Sequence, residues 1–180
     1  MAARTKATAR GRSAPDTTGP KLLVLSGPNL DRLGRREPEI YGSTTLAQIH
    51  ERLAAEAKSR GARVECRQSN HEGALIDWIG SAEDEGFSAI LFNPGAFTHT
   101  SYALYDAVKG CRLPTIELHL SNPDARESFR RRSRIAPACL GRIAGFGANS
   151  YSLALDAALR HLAGAGSGAS NRKGARVTSP

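Results

Sequence analysis

The chain has no apolar run approaching the roughly 20 residues that cross a bilayer, which excludes a membrane-spanning helix. Its first residues lack the charged, apolar and small-residue succession of a secretory leader, so no signal segment is expected. Cysteine is scarce: Cys66, Cys111 and Cys139 are odd in number and far apart. They make neither a CxxC pair nor a disulfide framework, and the expected setting is the reducing cytoplasm. No GxxxxGKS or GxGxxG is present, which argues against a nucleotide cofactor. No HxxH or HExxH spacing supports a metal at His99. Neither Ser26 nor Ser121 sits in a GxSxG elbow. Lysine is missing from the loops that carry the polar clusters, which disfavours Schiff-base chemistry. There is no internal repeat.

Positive charge is present, and its placement matters. Of the net +8, residues 1–20 carry +3 and residues 164–180 another +3, leaving +2 for 21–163. Both ends are rich in Ala, Gly, Ser, Thr and Pro, the composition of solvated tails. Weak polyanion binding by the tails is the alternative. The core lacks an interleaved basic and aromatic face, which argues against a nucleic-acid partner. The expected organisation is therefore a basic tail (1–20), one domain (21–163) and a second basic tail (164–180).

Within the domain, strand and helix patterns alternate. KLLVL, ARVECRQ, SAILFN, PTIELHL and GRIAGF read as strands. The first helix shows Leu46, Ile49, Leu53 and Ala57 at helical spacing and stops at Gly61. The second turns Leu75, Ile76, Trp78 and Ile79 inward. The third is expected to be capped by Thr98, the fourth to open at SNPD with Pro123 in its first turn, and the fifth to end near Gly164. Such alternation predicts an α/β fold: an open five-stranded parallel sheet, flavodoxin-like in order 2-1-3-4-5, with helices on both faces. Its switch point lies between strands 1 and 3, and ligands bind beyond the carboxyl ends there.

GPNL, NPGAFTHTS and HLSN follow strands 1, 3 and 4, so Asn29, Asn93, His99, His119, Ser121 and Asn122 are expected to converge. His50 and His161 read as surface residues. His119 follows Glu117 by two, which in a strand puts both on one face. A carboxylate there can fix the imidazole tautomer. Acid–base work and a satisfied core histidine both fit this spacing. Free N–H groups near Leu120 and Ser121, at the start of the expected fourth helix, suit a carboxylate. Arg126 and Arg130 would share a face of that helix, either over a ligand or simply as surface charge. SGPNLDRLGRREPEIYG places Arg36 and Tyr41 in a long polar loop after strand 1.

SGPNLDRLGRREPEIYG, RQSNHEGALIDWI, FNPGAFTHTSYALYDAV and IELHLSNPDARESFRRRS together resemble the type II 3-dehydroquinate dehydratases, from about Lys21 to Ala163. The resemblance implies a flavodoxin-like subunit and trimers assembled into a dodecamer. It implies no cofactor, with 3-dehydroquinate losing water by anti elimination through an enolate. The same step serves aromatic biosynthesis and quinate breakdown. By motif, Tyr41 resembles the base and Arg36 its activator. Asn29 resembles the residue holding a water on the enolate oxygen, and His119, supported by Glu117, the acid. Asn93, Leu120 and Ser121 resemble the substrate-carboxylate site, and His99 and Arg130 the ring-hydroxyl contacts. Asp106 resembles a residue reaching a neighbouring subunit's site. Ala74, Tyr105, Asp124, Arg134 and GANSY depart from the common pattern. None of these is a motif acid or base, and several lie where subunit contacts or the pocket rim are expected.

Overall fold

The computed structural model describes residues 19–34 and 44–170. Five strands make one sheet: β1 (Lys21–Ser26), β2 (Arg63–Gln68), β3 (Ala89–Asn93), β4 (Thr115–His119) and β5 (Gly141–Ala144). Their spatial order is β2-β1-β3-β4-β5 and every pairing is parallel. The helices are α1 (Leu46–Ser59), α2 (Glu72–Ser81), α3 (Phe97–Thr100), α4 (Tyr102–Gly110) and α5 (Asn149–Ser170). This is the architecture the alternation predicted.

Period-two alternation in β1 feeds two cores. Leu22 and Val24 pack with Ile49 and Leu53 of α1 and with Tyr151 and Leu155 of α5. Leu23 and Leu25 pack with Leu75 and Ile79 of α2 and with Leu104 and Val108 of α4. All four β1 side chains are fully buried. Each buried leucine contributes about 1.5–3 kcal/mol, so this interior strand anchors both layers. Helix α1 begins with a capping box: Thr45 Oγ1 accepts from Gln48 N, and Gln48 Oε1 accepts from Thr45 N at 2.9 Å. Gly61, at φ +71°, ends it.

Three local expectations differ from what the chain does. Between β4 and β5 there is no α-helix. Pro123–Ala125 and Ser128–Arg131 are two short 3₁₀ turns, with Arg126 extended between them. Asn122 Oδ1 accepts from Asp124 N at 3.0 Å, a local side-chain bond that competes with helix formation. Farther on, Arg134 N donates to Thr98 O at 2.7 Å and pulls the segment onto α3. No helix dipole therefore acts at Leu120 and Ser121. The third helix is broken at Ser101, whose hydroxyl caps α4 by accepting from Leu104 N at 2.8 Å. Thr98 is buried and caps nothing. The last helix runs past Gly164 to Ser170 through a stretch that contains no proline.

His50 is also not a surface residue. It lies half-buried, edge-on to the Tyr151 ring at 6.3 Å, and its Nε2 is buried with no hydrogen-bond partner among the described residues. Burial pushes its pKa below the usual histidine value. The unfolded chain takes up that proton first, near pH ~6.5. Stability is thus full above that pH and falls as pH drops toward the folded pKa. In urea unfolding from about pH 5 to about pH 8, His50→Leu is expected to lose less stability on acidification than the parent. Parallel pH dependences would contradict this.

Candidate active site

The carboxyl ends of β1, β3 and β4 converge on a cavity of about 150 Å³. Gly27 N donates to Asn93 O at 2.8 Å, which ties the ends of β1 and β3 together. A Cβ on Gly27 would lie 2.4 Å from Pro94 O, so only glycine allows this approach. Asn29 follows in the left-handed region at φ 63°, its N–H donated to Asn70 Oδ1 at 2.7 Å. A non-glycine residue with positive φ needs such support. Gln68 Nε2 donates to the same Asn70 oxygen at 3.1 Å. The end of β2 thereby holds Asn29 on the rim.

At the end of β4, Glu117 is fully buried and His119 nearly so. His119 Nε2 meets Glu117 Oε1 at 2.6 Å. Thr98 Oγ1 donates to that oxygen at 2.6 Å and Ser133 Oγ donates to Oε2 at 2.8 Å. Burial pushes the Glu117 carboxyl up. The hydrogen bond and charge of His119, with the Thr98 and Ser133 hydroxyls, outweigh it and hold the pKa below the usual range. Glu117 is a carboxylate at neutral pH, and an imidazole bonded to it through Nε2 keeps Nδ1 for a ligand.

His99 is arranged differently. Its Nδ1 lies 2.9 Å from Arg132 O, which must accept, so Nε2 remains for other partners. Burial is the largest influence and pushes its pKa down. A neutral imidazole with a free acceptor nitrogen suits a hydroxyl. Arg130 stacks over Phe129 at 4.7 Å, and its Nε donates to Glu127 Oε2 at 2.8 Å. That bond drives the exposed Glu127 carboxyl down to about 2. Arg126 lies on the same wall.

Asn93 is oriented from behind. Its Nδ2 donates to the Tyr151 hydroxyl at 3.3 Å and its Oδ1 accepts from Gly95 N at 3.3 Å. A second amide proton remains for an acceptor. Tyr151 is wholly buried, its hydroxyl also 3.2 Å from Ser26 Oγ, and burial raises its pKa to about 12. It is neutral and structural. Two arginines and an amide donor around one small cavity make a site for an anion. Among the described residues no group of three His, Cys, Asp or Glu side chains could hold a metal ion.

Asn29, Asn93, His99, His119, Leu120, Ser121 and Arg130 all line this cavity, with Glu117 directly behind His119. Asp106 does not: it is exposed on α4. Arg36 and Tyr41 lie outside the described residues. Sequence reasoning passed over Thr98, Ser133 and Tyr151 as parts of the site. Their partners are 19, 16 and 58 residues away, beyond any local pattern.

The profile of the family described as dehydroquinase class II matches residues 20–159. This chain belongs to that family. The 3-dehydroquinate dehydratase of Halalkalibacterium halodurans is 54% identical over 138 residues, spanning 77% of this chain and 94% of the relative. That of Variovorax paradoxus is 56% identical over 142 residues, 76% of this chain and 97% of the relative. The crystal structure of the type II dehydroquinase from Butyrivibrio crossotus superposes with a TM-score of 0.76 at 45% identity. It covers 77% of this chain and 96% of the other.

In this class II dehydroquinase, Tyr151→Phe frees the Asn93 amide from its orienting acceptor. One neutral hydrogen bond contributes about 0.5–1.5 kcal/mol. The KM for a carboxylate substrate is expected to rise by roughly three- to tenfold, with kcat changed less. An unchanged KM would mean that Tyr151 does not orient Asn93.

Proposed function

We propose that the chain is a hydro-lyase that converts 3-dehydroquinate to 3-dehydroshikimate by anti elimination through an enolate, without a cofactor. The observation that carries the reading is the buried Glu117–His119 pair on the wall of an anion-suited cavity. The names of relatives at 54–56% identity support it. The substrate carboxylate sits against Asn93 and the backbone of Leu120 and Ser121. His99 and Arg130 take ring hydroxyls. Tyr41 removes the proton from C2. Unperturbed, about 0.1% of a tyrosine with pKa ~10 is ionised at pH ~7. A cation at close range shifts such a pKa by about 1–3 units, and Arg36 supplies it. The electrons move to the ketone oxygen, where Asn29 holds a water on the enolate. His119, in its imidazolium form with Nε2–H held by Glu117, protonates the departing hydroxyl from Nδ1 and is left as the neutral Nε2–H imidazole.

The assembly proposed is a dodecamer of four trimers, with the exposed Asp106 of one subunit reaching a neighbour's site. The setting proposed is the cytoplasm, where the step feeds aromatic biosynthesis or quinate breakdown.

Adding 3-dehydroquinate is expected to raise the absorbance of a conjugated enone, with or without a chelator. His119→Ala is expected to lower kcat by about 10²–10⁴-fold and to change KM far less. No enone from the parent chain would overturn the function. An undiminished kcat in the variant would remove His119 from the chemistry.

A further inference from the structure

We propose that Thr98 and Ser133 are positioning residues, whose hydroxyls wire Glu117 as a permanent acceptor so that the shared proton stays on His119 Nε2. The inference rests on the acid role read above for His119.

The wiring follows from counting donors. Ser133 Oγ accepts from Ile135 N at 3.1 Å and from Ala136 N at 2.8 Å. Both lone pairs of the hydroxyl are then used, so its single proton must point elsewhere. Two acceptors are in range, Glu117 Oε2 at 2.8 Å and Thr98 Oγ1 at 2.8 Å. Thr98 has one proton as well, and Glu117 Oε1 takes it at 2.6 Å. Sending each proton to the carboxylate satisfies the charge with two donors on different oxygens. A proton on Glu117 would have to displace one of them. Anionic acceptors make the stronger bonds, so the set favours an ionised Glu117. His119 is the third donor, and it donates through Nε2.

The two hydroxyls are held together by a backbone cross-link. Thr98 is 1% exposed, and its carbonyl accepts from Arg134 N at 2.7 Å. Ser133 sits in the segment whose Arg132 carbonyl holds His99. One cluster thus connects β4, α3 and residues 132–136, and so sets both histidines. Among the described residues, the other ionisable groups around Glu117 are few. From α3, His99 feels both Glu117 and His119, and Arg130 acts on His99 across the cavity. Behind, the Glu117 charge adds to burial in raising the Cys139 thiol to about 12, so that group stays neutral. Arg134 of the tethered segment is turned over the Tyr102 ring at 5.1 Å.

The test compares Thr98→Val, which keeps the shape and loses the donor, with Thr98→Ser, which keeps the donor. In the full chain, a carbon-13 titration of the Glu117 carboxyl needs no substrate. Thr98→Val is expected to raise that pKa by about one pH unit, the scale of one hydrogen bond to a charged group. The acid limb of kcat/KM should move up by the same amount. kcat should fall roughly tenfold and KM should stay within about twofold. Thr98→Ser should restore the carboxyl pKa, the acid limb and kcat. Ser133→Ala should shift the carboxyl in the same direction; it also leaves the Ile135 and Ala136 N–H groups without their acceptor, so if it fails to fold the Thr98 pair decides alone. An unmoved Glu117 titration in Thr98→Val, or a Thr98→Ser variant as impaired as Thr98→Val, would overturn the proposal. If the parent lacks dehydratase activity the function fails, while the carboxyl titration still decides the wiring.

Discussion

Everything at the top of this sheet is arranged around one buried negative charge. An isolated carboxylate at the Glu117 position, with no solvent access, would cost several kcal/mol or take up a proton. Three donors prevent that, and each arrives on a different piece of chain: Thr98 on α3, Ser133 after the 3₁₀ turns, and His119 at the end of β4. The requirement accounts for local structure that propensity alone does not. Thr98 faces the core instead of capping a helix, and the chain after β4 stays irregular because Ser133 and Arg134 are tethered to α3. A continuous helix from Ser121 would follow its own hydrogen bonds and could not be relied on to bring Ser133 to Glu117.

The same charge divides the labour between two histidines. His119 is bonded to the carboxylate, which stabilises the imidazolium whenever it forms. His99 is bonded to a neutral carbonyl, and burial dominates its titration. One is suited to proton transfer and the other to holding a hydroxyl. Arg130 and Arg126 supply positive charge on the same wall, and Asn93 adds a donor fixed from behind by Tyr151. Different hydrogen-bond partners on two like side chains are how a fold assigns them different roles.

The layout of the sheet was legible in the sequence because burial is periodic. Leu46, Ile49, Leu53 and Ala57 announce α1 at helical spacing and are its buried residues. Strand order followed from the alternation of elements, and with it the convergence of Asn29, Asn93, His99 and His119. Glu117 and His119 were legible as a pair because strand alternation alone puts them on one face. What could not be read were contacts set by tertiary distance. Thr98 resembles a cap in any local window, Ser133 resembles the end of a charged run, and Tyr151 resembles one more apolar residue on α5. His50 was placed on the surface because its ring partner lies on a helix about a hundred residues later.

In the proposed mechanism the charge on Glu117, not its bulk, makes the site work. Glu117→Gln tests this most directly, because the amide keeps the shape, loses the charge and adds a donor among donors. Single-turnover measurement of 3-dehydroquinate dehydration, with product affinity measured alongside, separates chemistry from binding. The expected result is a chemical step slowed by at least about a hundredfold and product affinity within about threefold of the parent. A Glu117→Gln variant that keeps the parent's rate would contradict it.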